Sequence, residues 1–283
     1  MKLKMIIKMD KIVIQLICPD QQGIIAQITS ILYEVQINIL SIEQHVDDEQ
    51  KKFYIRILAD LSSSKINFNQ LNKKISNLNT KLKGALTFHN PNKKINVAIL
   101  GTKESEPIYD LLIKNKSGDL DCNIPIIISN HNNLKIISKQ FGISYHKICD
   151  NNKLLDIFKK NNIDLIVLAR YMQIIPENII KYYKNKIINI HHGFLPAFKG
   201  ANPYRQAYEK GVKIIGATAH YVTKELDEGP ILYQDVVNIN HKHSVDEMIQ
   251  LGREIERNVL FKAVKAHLNH KVIVYSNKTI VFN

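Results

Sequence analysis

Tryptophan is absent from this 283-residue sequence, and only three cysteines occur in it, Cys18, Cys122 and Cys149. They stand apart with no C-x-x-C spacing, which argues against a disulfide framework or a cysteine-built zinc site. Reduced, buried thiols are expected. Long apolar runs are also missing: the longest, Ile163 to Ala169, contains Asp164 and is far too short to cross a bilayer. The opening MKLKMIIKMD has neither the apolar stretch nor the cleavage site of a secretion signal. A cytoplasmic location with no membrane partner is therefore expected. Acidic residues are in deficit, 26 against 39 Lys and Arg, for a formal charge of +13. The lysines are nonetheless spread through an Ile- and Asn-rich chain, without a compact basic run interleaved with aromatics. That distribution speaks against a nucleic-acid partner and suits an anionic small substrate.

What is present fits two domains with buried cores. Lys11 to Cys18 is β-rich. Pro19-Asp20-Gln21-Gln22-Gly23 then forms a turn opening a helix over Ile24 to Val35, with Gly23 serving the turn and Asp20 capping the helix. Ile37 to Val46 and Lys52 to Ala59 are strand patterns around a turn at Asp47-Asp48-Glu49. Ile66 to Leu82 follows as an amphipathic helix, and Ala85 to Phe88 as a short strand. This βαββαβ order is ferredoxin-like, giving a domain over 1–88. The polar segment 89–94, with Pro91, is the expected linker. From 95 to 283 the rhythm changes. Ile95 to Gly101, Ile124 to Ser129, Ile163 to Ala169 and Ile187 to Ile190 are short, almost wholly apolar strands alternating with helical stretches. Such a pattern predicts an α/β domain with a doubly wound, mostly parallel sheet that presents its site at the strands' carboxyl ends. A strand pair over Ile214 to Val222 and Ile231 to Ile239, a long helix from Val245 to about Asn269, and a hairpin over 272–282 complete the chain.

Asn189-Ile190-His191-His192-Gly193 follows an apolar strand directly. Side chains alternate along a strand, so Asn189 and His191 share a face at its carboxyl end, where an amide and an imidazole can both donate to one carbonyl oxygen. Downstream, Glu225, Asp227 and Glu228 lie on a turn redirected by Gly229-Pro230. A carboxylate there could meet His191, favour its protonated form and accept a proton from water or an amine. Taken singly, each residue also has a plain structural reading: Asn189 as a turn former, His191 as a partly exposed histidine, Asp227 as a turn residue and His192 as a core histidine. Asn202-Pro203 reads as a helix start, and His241-Lys242-His243 as a solvated turn.

The segment NIHHGFLPAFKGANPYRQAYEKGVKIIGATAHYVTKELDEGPIL resembles the core of the formyltetrahydrofolate-dependent formyltransferase fold, and more closely the formyltetrahydrofolate deformylase family. In that fold an Asn-x-His pair and a later Asp, reached through H-x-V-x-x-x-x-D-x-G, form the catalytic group. Here they fall on Asn189, His191 and Asp227, with His220 leading the second motif. Leu168 to Ile175 is similar to the loop that binds the pterin ring. The resemblance accordingly implies substrate contacts from the backbone of Met172, Gln173, Ile174 and Ile175, and from His192, Gly193, Lys224 and Glu225. Without it, 168–175 reads as a strand end entering a helix. The first domain resembles an ACT module, which implies self-association into a homo-oligomer and an amino-acid effector such as glycine or methionine at Asp20, Gly23 and Asn38.

The implied reaction is hydrolysis of 10-formyltetrahydrofolate to formate and tetrahydrofolate, supplying formate for purine synthesis and balancing the one-carbon folate pools. No metal and no cofactor beyond the folate substrate is implied. Two alternatives stand beside it. One is formyl transfer to an amine such as glycinamide ribonucleotide, which Glu104 and Glu106 beside Gly101 disfavour by repelling phosphate. The other is a non-catalytic amino-acid sensor, against which the intact Asn189, His191 and Asp227 set argues. A transferase acting on tRNA would also be expected to carry a further domain beyond Phe282. Two positions depart from the family pattern. Gly193 replaces the usual Ser, implying a more flexible loop, and Gln36 stands where many relatives place a helix-ending glycine.

Overall fold

Alternation of apolar residues along β1 (Lys11–Pro19) sets the architecture of the first unit. Ile12, Ile14, Leu16 and Cys18 face one way and pack with Ile24, Ile28 and Leu32 of α1 (Ile24–Glu34) and with Leu71, Ile75, Leu78 and Leu82 of α2 (Phe68–Leu82). With β2 (Asn38–Asp47), β3 (Lys52–Asp60) and β4 (Ala85–His89), the antiparallel order is β2-β3-β1-β4, the ferredoxin-like arrangement. Asn67 caps α2 in a reciprocal pair with Gln70, each bond 3.0 Å long. The cap of α1 is different from the sequence expectation. Gly23, at φ +81, holds that position, and no side chain caps the helix. Asp20 is exposed, and its N–H bonds the Lys51 carbonyl at 2.9 Å. Gln36 adopts φ +57, the conformation for which glycine was expected there.

This computed structural model describes residues 10–148, 150–196 and 203–282, with the side chain of Pro203 outside that set. Cys149 and the segment 197–202, including the expected cap at Asn202, lie outside the described residues. Contacts divide the chain after Lys93, and they also return the tail segment 269–273 and Phe282 to the first unit. The 89–94 linker is thus shorter than the sequence suggested, because His89 closes β4 in register with Val13. The tail belongs to the first unit because two side chains on the helix-free face of the sheet require acceptors. Gln15 (8% exposed) and Arg56 (4% exposed) are directly paired across β1 and β3. Gln15 donates to the carbonyls of His270 and Val272, and Arg56 to those of His270 and Asn269 as well as to Glu43.

In the second unit, β5 (Ile95–Leu100), β6 (Cys122–Ser129), β7 (Ser144–Lys147), β8 (Leu165–Leu168) and β9 (Ile187–His191) are parallel. β10 (Ile214–Tyr221) pairs antiparallel with β9, and β11 (Ile231–Asn238) antiparallel with β10, extending the sheet in the order β11-β10-β9-β8-β5-β6-β7. The intervening helices are α3 (Glu106–Lys116), α4 (Lys135–Phe141), α5 (Leu154–Lys160), α6 (Glu177–Tyr182) and α7 (Pro203–Glu209). α8 (Val245–Leu268) follows, then a hairpin of β12 (Val272–Tyr275) and β13 (Lys278–Val281). Central strand residues such as Ala98, Leu100, Ile126, Ile128, Ile166 and Leu168 are buried, as expected of a parallel sheet covered on both faces. Among the described residues, no helix is long and apolar enough to cross a membrane.

Candidate active site

Asn189 and His191 both line a cavity at the carboxyl end of β9. The antiparallel partner β10 places His220 opposite Asn189 and Thr218 opposite His191. Beyond β10 the chain turns back at Gly229, where an added Cβ would lie 1.7 Å from the Tyr221 carbonyl oxygen; no larger residue fits this turn without a shift. The same turn holds Asp227 at φ +55, a left-handed conformation that Asp and Asn tolerate better than most residues. Asp227 is thereby brought 3.2 Å from Nδ1 of His191 through Oδ2, and 3.5 Å from Nε2 of His220 through Oδ1.

Hydrogen-bond inventories fix the proton positions. Nδ1 of His220 lies 3.0 Å from the Tyr221 carbonyl, which can only accept, so Nδ1 carries hydrogen. Nε2 of His220 is then free to accept from the Asn189 amide nitrogen at 3.2 Å, leaving the second amide N–H of Asn189 for a ligand. The 3.5 Å approach of Asp227 becomes a hydrogen bond only when the His220 ring carries both protons. On His191, Nδ1 faces the carboxylate, while Nε2 is buried and has no partner among the described residues. Hydrogen bonding to His191 holds the Asp227 carboxyl far below the usual carboxylate range. His192 behaves oppositely: burial first, then the nearby Arg170 and His191, push its pKa down to about 4, so the ring is neutral near pH 7.

The cavity is about 500 Å³, within the usual range for a small-molecule site, and is lined by residues 170–174, 189–192, 226 and 227. Met172, Gln173, Ile174 and His192 are there as expected; Ile175, Gly193, Lys224 and Glu225 are not. Ile175 is buried in the sheet core. The Gly193 carbonyl accepts from the Thr218 hydroxyl at 2.9 Å, and that hydroxyl also accepts from the Leu195 N–H, so the loop is tied down despite the missing serine. Lys224 and Glu225 are exposed on the turn, and Leu226 meets the cavity in their place. Part of the 172–175 backbone is already engaged: Met172 N–H donates to Thr102 Oγ1, and the Ile174 carbonyl accepts from Asn151, each at 2.8 Å. Arg170, Tyr171, Ile190 and Leu226 were not singled out from sequence, and His220 was noted only as the head of a motif. Its cross-strand pairing with Asn189 is the signal that would have found it.

In the first unit, a groove of about 400 Å³ runs between α1 and α2, with Gln27, Ser30, Glu34, Lys74 and Lys81 on its walls. Asp20, Gly23 and Asn38 do not line it. Among the described residues, no group of three or more His, Cys, Asp or Glu is arranged to hold a metal ion.

Two donors with a carboxylate behind one of them, beside a cavity of ligand size, suit a catalyst that stabilises an oxyanion at a carbonyl carbon. In agreement, the Formyl transferase family matches residues 95–264, and the ACT domain family matches 12–73. The formyltetrahydrofolate deformylase of Synechocystis is 45% identical over 273 residues, covering 94% of this chain and 96% of that protein. The crystal structure of the Pseudomonas syringae formyltetrahydrofolate deformylase superposes with a TM-score of 0.92 at 34% identity, covering 99% of this chain and 96% of that one. A phosphoribosylglycinamide formyltransferase from Anaplasma phagocytophilum covers 68% of this chain and 96% of its own length, with a TM-score of 0.63 at 29% identity. The chain belongs to the formyltetrahydrofolate deformylase family.

Proposed function

We propose that this chain hydrolyses 10-formyltetrahydrofolate to formate and tetrahydrofolate. The observation that carries the proposal is the buried Nε2 of His191, unpartnered among the described residues, beside the spare amide N–H of Asn189, with Asp227 bonded to the far side of the same imidazole. With Nδ1 donating to Asp227, Nε2 donates only from the doubly protonated ring, so the carboxylate and imidazolium act together. Water attacks the formyl carbon and its proton passes to Asp227. The developing oxyanion accepts hydrogen bonds from Asn189 and His191. Collapse breaks the carbon–N10 bond, Asp227 passes its proton to N10, and the formic acid formed gives its remaining proton to bulk water and leaves as formate.

Hydrolysis on these residues calls for no metal and no redox cofactor. The pterin is read as lying along Met172, Gln173 and Ile174, and the working location as the cytoplasm. Formate would feed purine synthesis while tetrahydrofolate returns to the one-carbon pool. The ACT-type unit is read as the part that binds an amino acid, glycine or methionine, and pairs with a second copy through the edge strand β2, which exposes Leu40 and Ile42. Calorimetric titration with each amino acid and sedimentation of the full chain test those two readings; no heat and a monomer would remove them.

The decisive experiment measures products without any amine. Formate and tetrahydrofolate should accumulate one to one. If formate fails to appear until an amine is supplied, transfer to an amine replaces hydrolysis.

A further inference from the structure

Arg170 occupies a backbone position that favours glycine, at φ +60. A non-glycine residue there is strained and persists where its surroundings compensate. Its guanidinium lies 3.4 Å from Glu256, a carboxylate only 2% exposed, and the other oxygen of Glu256 accepts from the Tyr204 hydroxyl at 2.8 Å. Tyr204 reaches Glu256 because Gly252 clears its path: an added Cβ on Gly252 would lie 2.0 Å from the Tyr204 hydroxyl oxygen. Glycine inside a helix such as α8 itself costs about 1 kcal/mol relative to alanine. Two unfavourable backbone choices thus converge on one buried ion pair.

That pair lies between two spaces. Arg170 is the one described residue that lines both the catalytic cavity and a neighbouring recess bounded by Glu104, Glu106, Pro107, Arg253 and Glu256. The recess holds about 10 Å³, room for one water at most. Its other charged walls are three carboxylates and a single arginine, with Arg253 3.6 Å from both Glu104 and Glu106. Without the Arg170 side chain, the recess would open onto the catalytic cavity as an acid-lined pocket, suited to a small amine.

We propose that the Arg170 side chain, anchored by Glu256, is the specificity determinant that shuts an amine-accepting recess and leaves water as the only nucleophile able to reach the formyl carbon. The proposal rests on the hydrolase reading above. In the opened site, a neutral amine nitrogen forms a bond to the formyl carbon, the carbon–N10 bond breaks, and N10 takes up the proton the amine loses through Asp227. The products are then an N-formyl amine and tetrahydrofolate in place of formate and tetrahydrofolate.

The test compares wild type with Arg170→Gly, which also relieves the left-handed backbone, using glycinamide as the amine. Because Arg170→Gly strands a buried carboxylate, the double variant R170G/E256Q is measured alongside it. Wild type should release formate at a rate indifferent to glycinamide. The variants should raise N-formylglycinamide by at least about 10-fold over wild type, the scale on which a small steric change in a pocket alters selectivity. Folded variants that release formate but form no more N-formylglycinamide than wild type would overturn the proposal, as would a wild type that already formylates glycinamide equally well. A wild type that releases no formate without amine would instead overturn the hydrolase reading.

Discussion

Replacing Asp227 by Asn separates charge from shape at the centre of the site. Asn is isosteric with Asp and tolerates the φ of +55 found at this position, so the turn and Gly229 need not move. What changes is the inventory of acceptors. The carboxylate offers an oxygen to Nδ1 of His191 at 3.2 Å and another to Nε2 of His220 at 3.5 Å. An amide offers one oxygen and one NH₂ group, so an amide nitrogen facing His191 would turn its Nδ1 into an acceptor. The general base is lost together with that arrangement. Loss of one general base typically costs about 10²- to 10⁴-fold in rate, or roughly 3–5 kcal/mol of transition-state stabilisation. The cavity walls at 172–174 and 226 are untouched, so a stable folate analogue should bind as it does to wild type. Formate release gives the rate, and calorimetry with the analogue gives the binding. Wild-type turnover in Asp227→Asn would refute the assigned role, and loss of analogue binding would show that the substitution disturbs the pocket rather than the chemistry.

Asn189→Ala and His191→Ala should each slow formate release by about 10²- to 10³-fold, the usual cost of one oxyanion donor; unchanged rates in both would move the site elsewhere. Gly229→Ala forces a methyl group to within 1.7 Å of the Tyr221 oxygen. It should cost about 1–3 kcal/mol or more in thermal unfolding and displace Asp227, so an unaltered Tm with full activity would contradict the packing described. The pKa of His192, pushed down to about 4, sets a pH slope. An unfolded histidine already binds its proton near pH 6.5, so between about pH 4 and 6.5 the unfolded chain holds more protons, and stability falls as pH is lowered through that window. His192→Gln should flatten the slope in denaturant titrations, and an identical slope in the variant would refute a neutral buried ring.

Strands with clear apolar patterning, such as β1, β3, β5 and β8, were legible in the sequence to within a residue or two. β7 was not, because Ser-Tyr-His-Lys at the sheet edge has no buried face to impose a period. α6 was missed because six residues after Pro176 hold too few turns to show one. Asn189 and His191 were readable from alternation along a single strand. Asp227 needed a motif, since its contact with His191 is made by a turn folding back after β10. His220 and Arg170 act through partners on other elements, Asn189 across β10 and β9 and Glu256 on α8, and local sequence carries no mark of such pairings. Lys224 and Glu225 were over-read because a turn exposes most of its polar side chains and turns only a few of them inward.

The acceptors that Gln15 and Arg56 need are the carbonyls of Asn269, His270 and Val272, separated from them by 213 to 257 positions in sequence. During synthesis the sheet of the first unit is complete in its strands long before those carbonyls exist. At about 5–20 residues per second, Arg56 waits roughly 10–40 s for its partners on a nascent chain. Throughout that interval its guanidinium has Glu43 but neither of the tail carbonyls, and the Gln15 amide nitrogen must bond to water while its oxygen keeps Thr87. Burial of that face is therefore a late event that must wait for the tail segment to be made. In stalled nascent chains ending before residue 269, Arg56 should react with an arginine-selective reagent that spares it in the full chain, where Asn269 and His270 cover it.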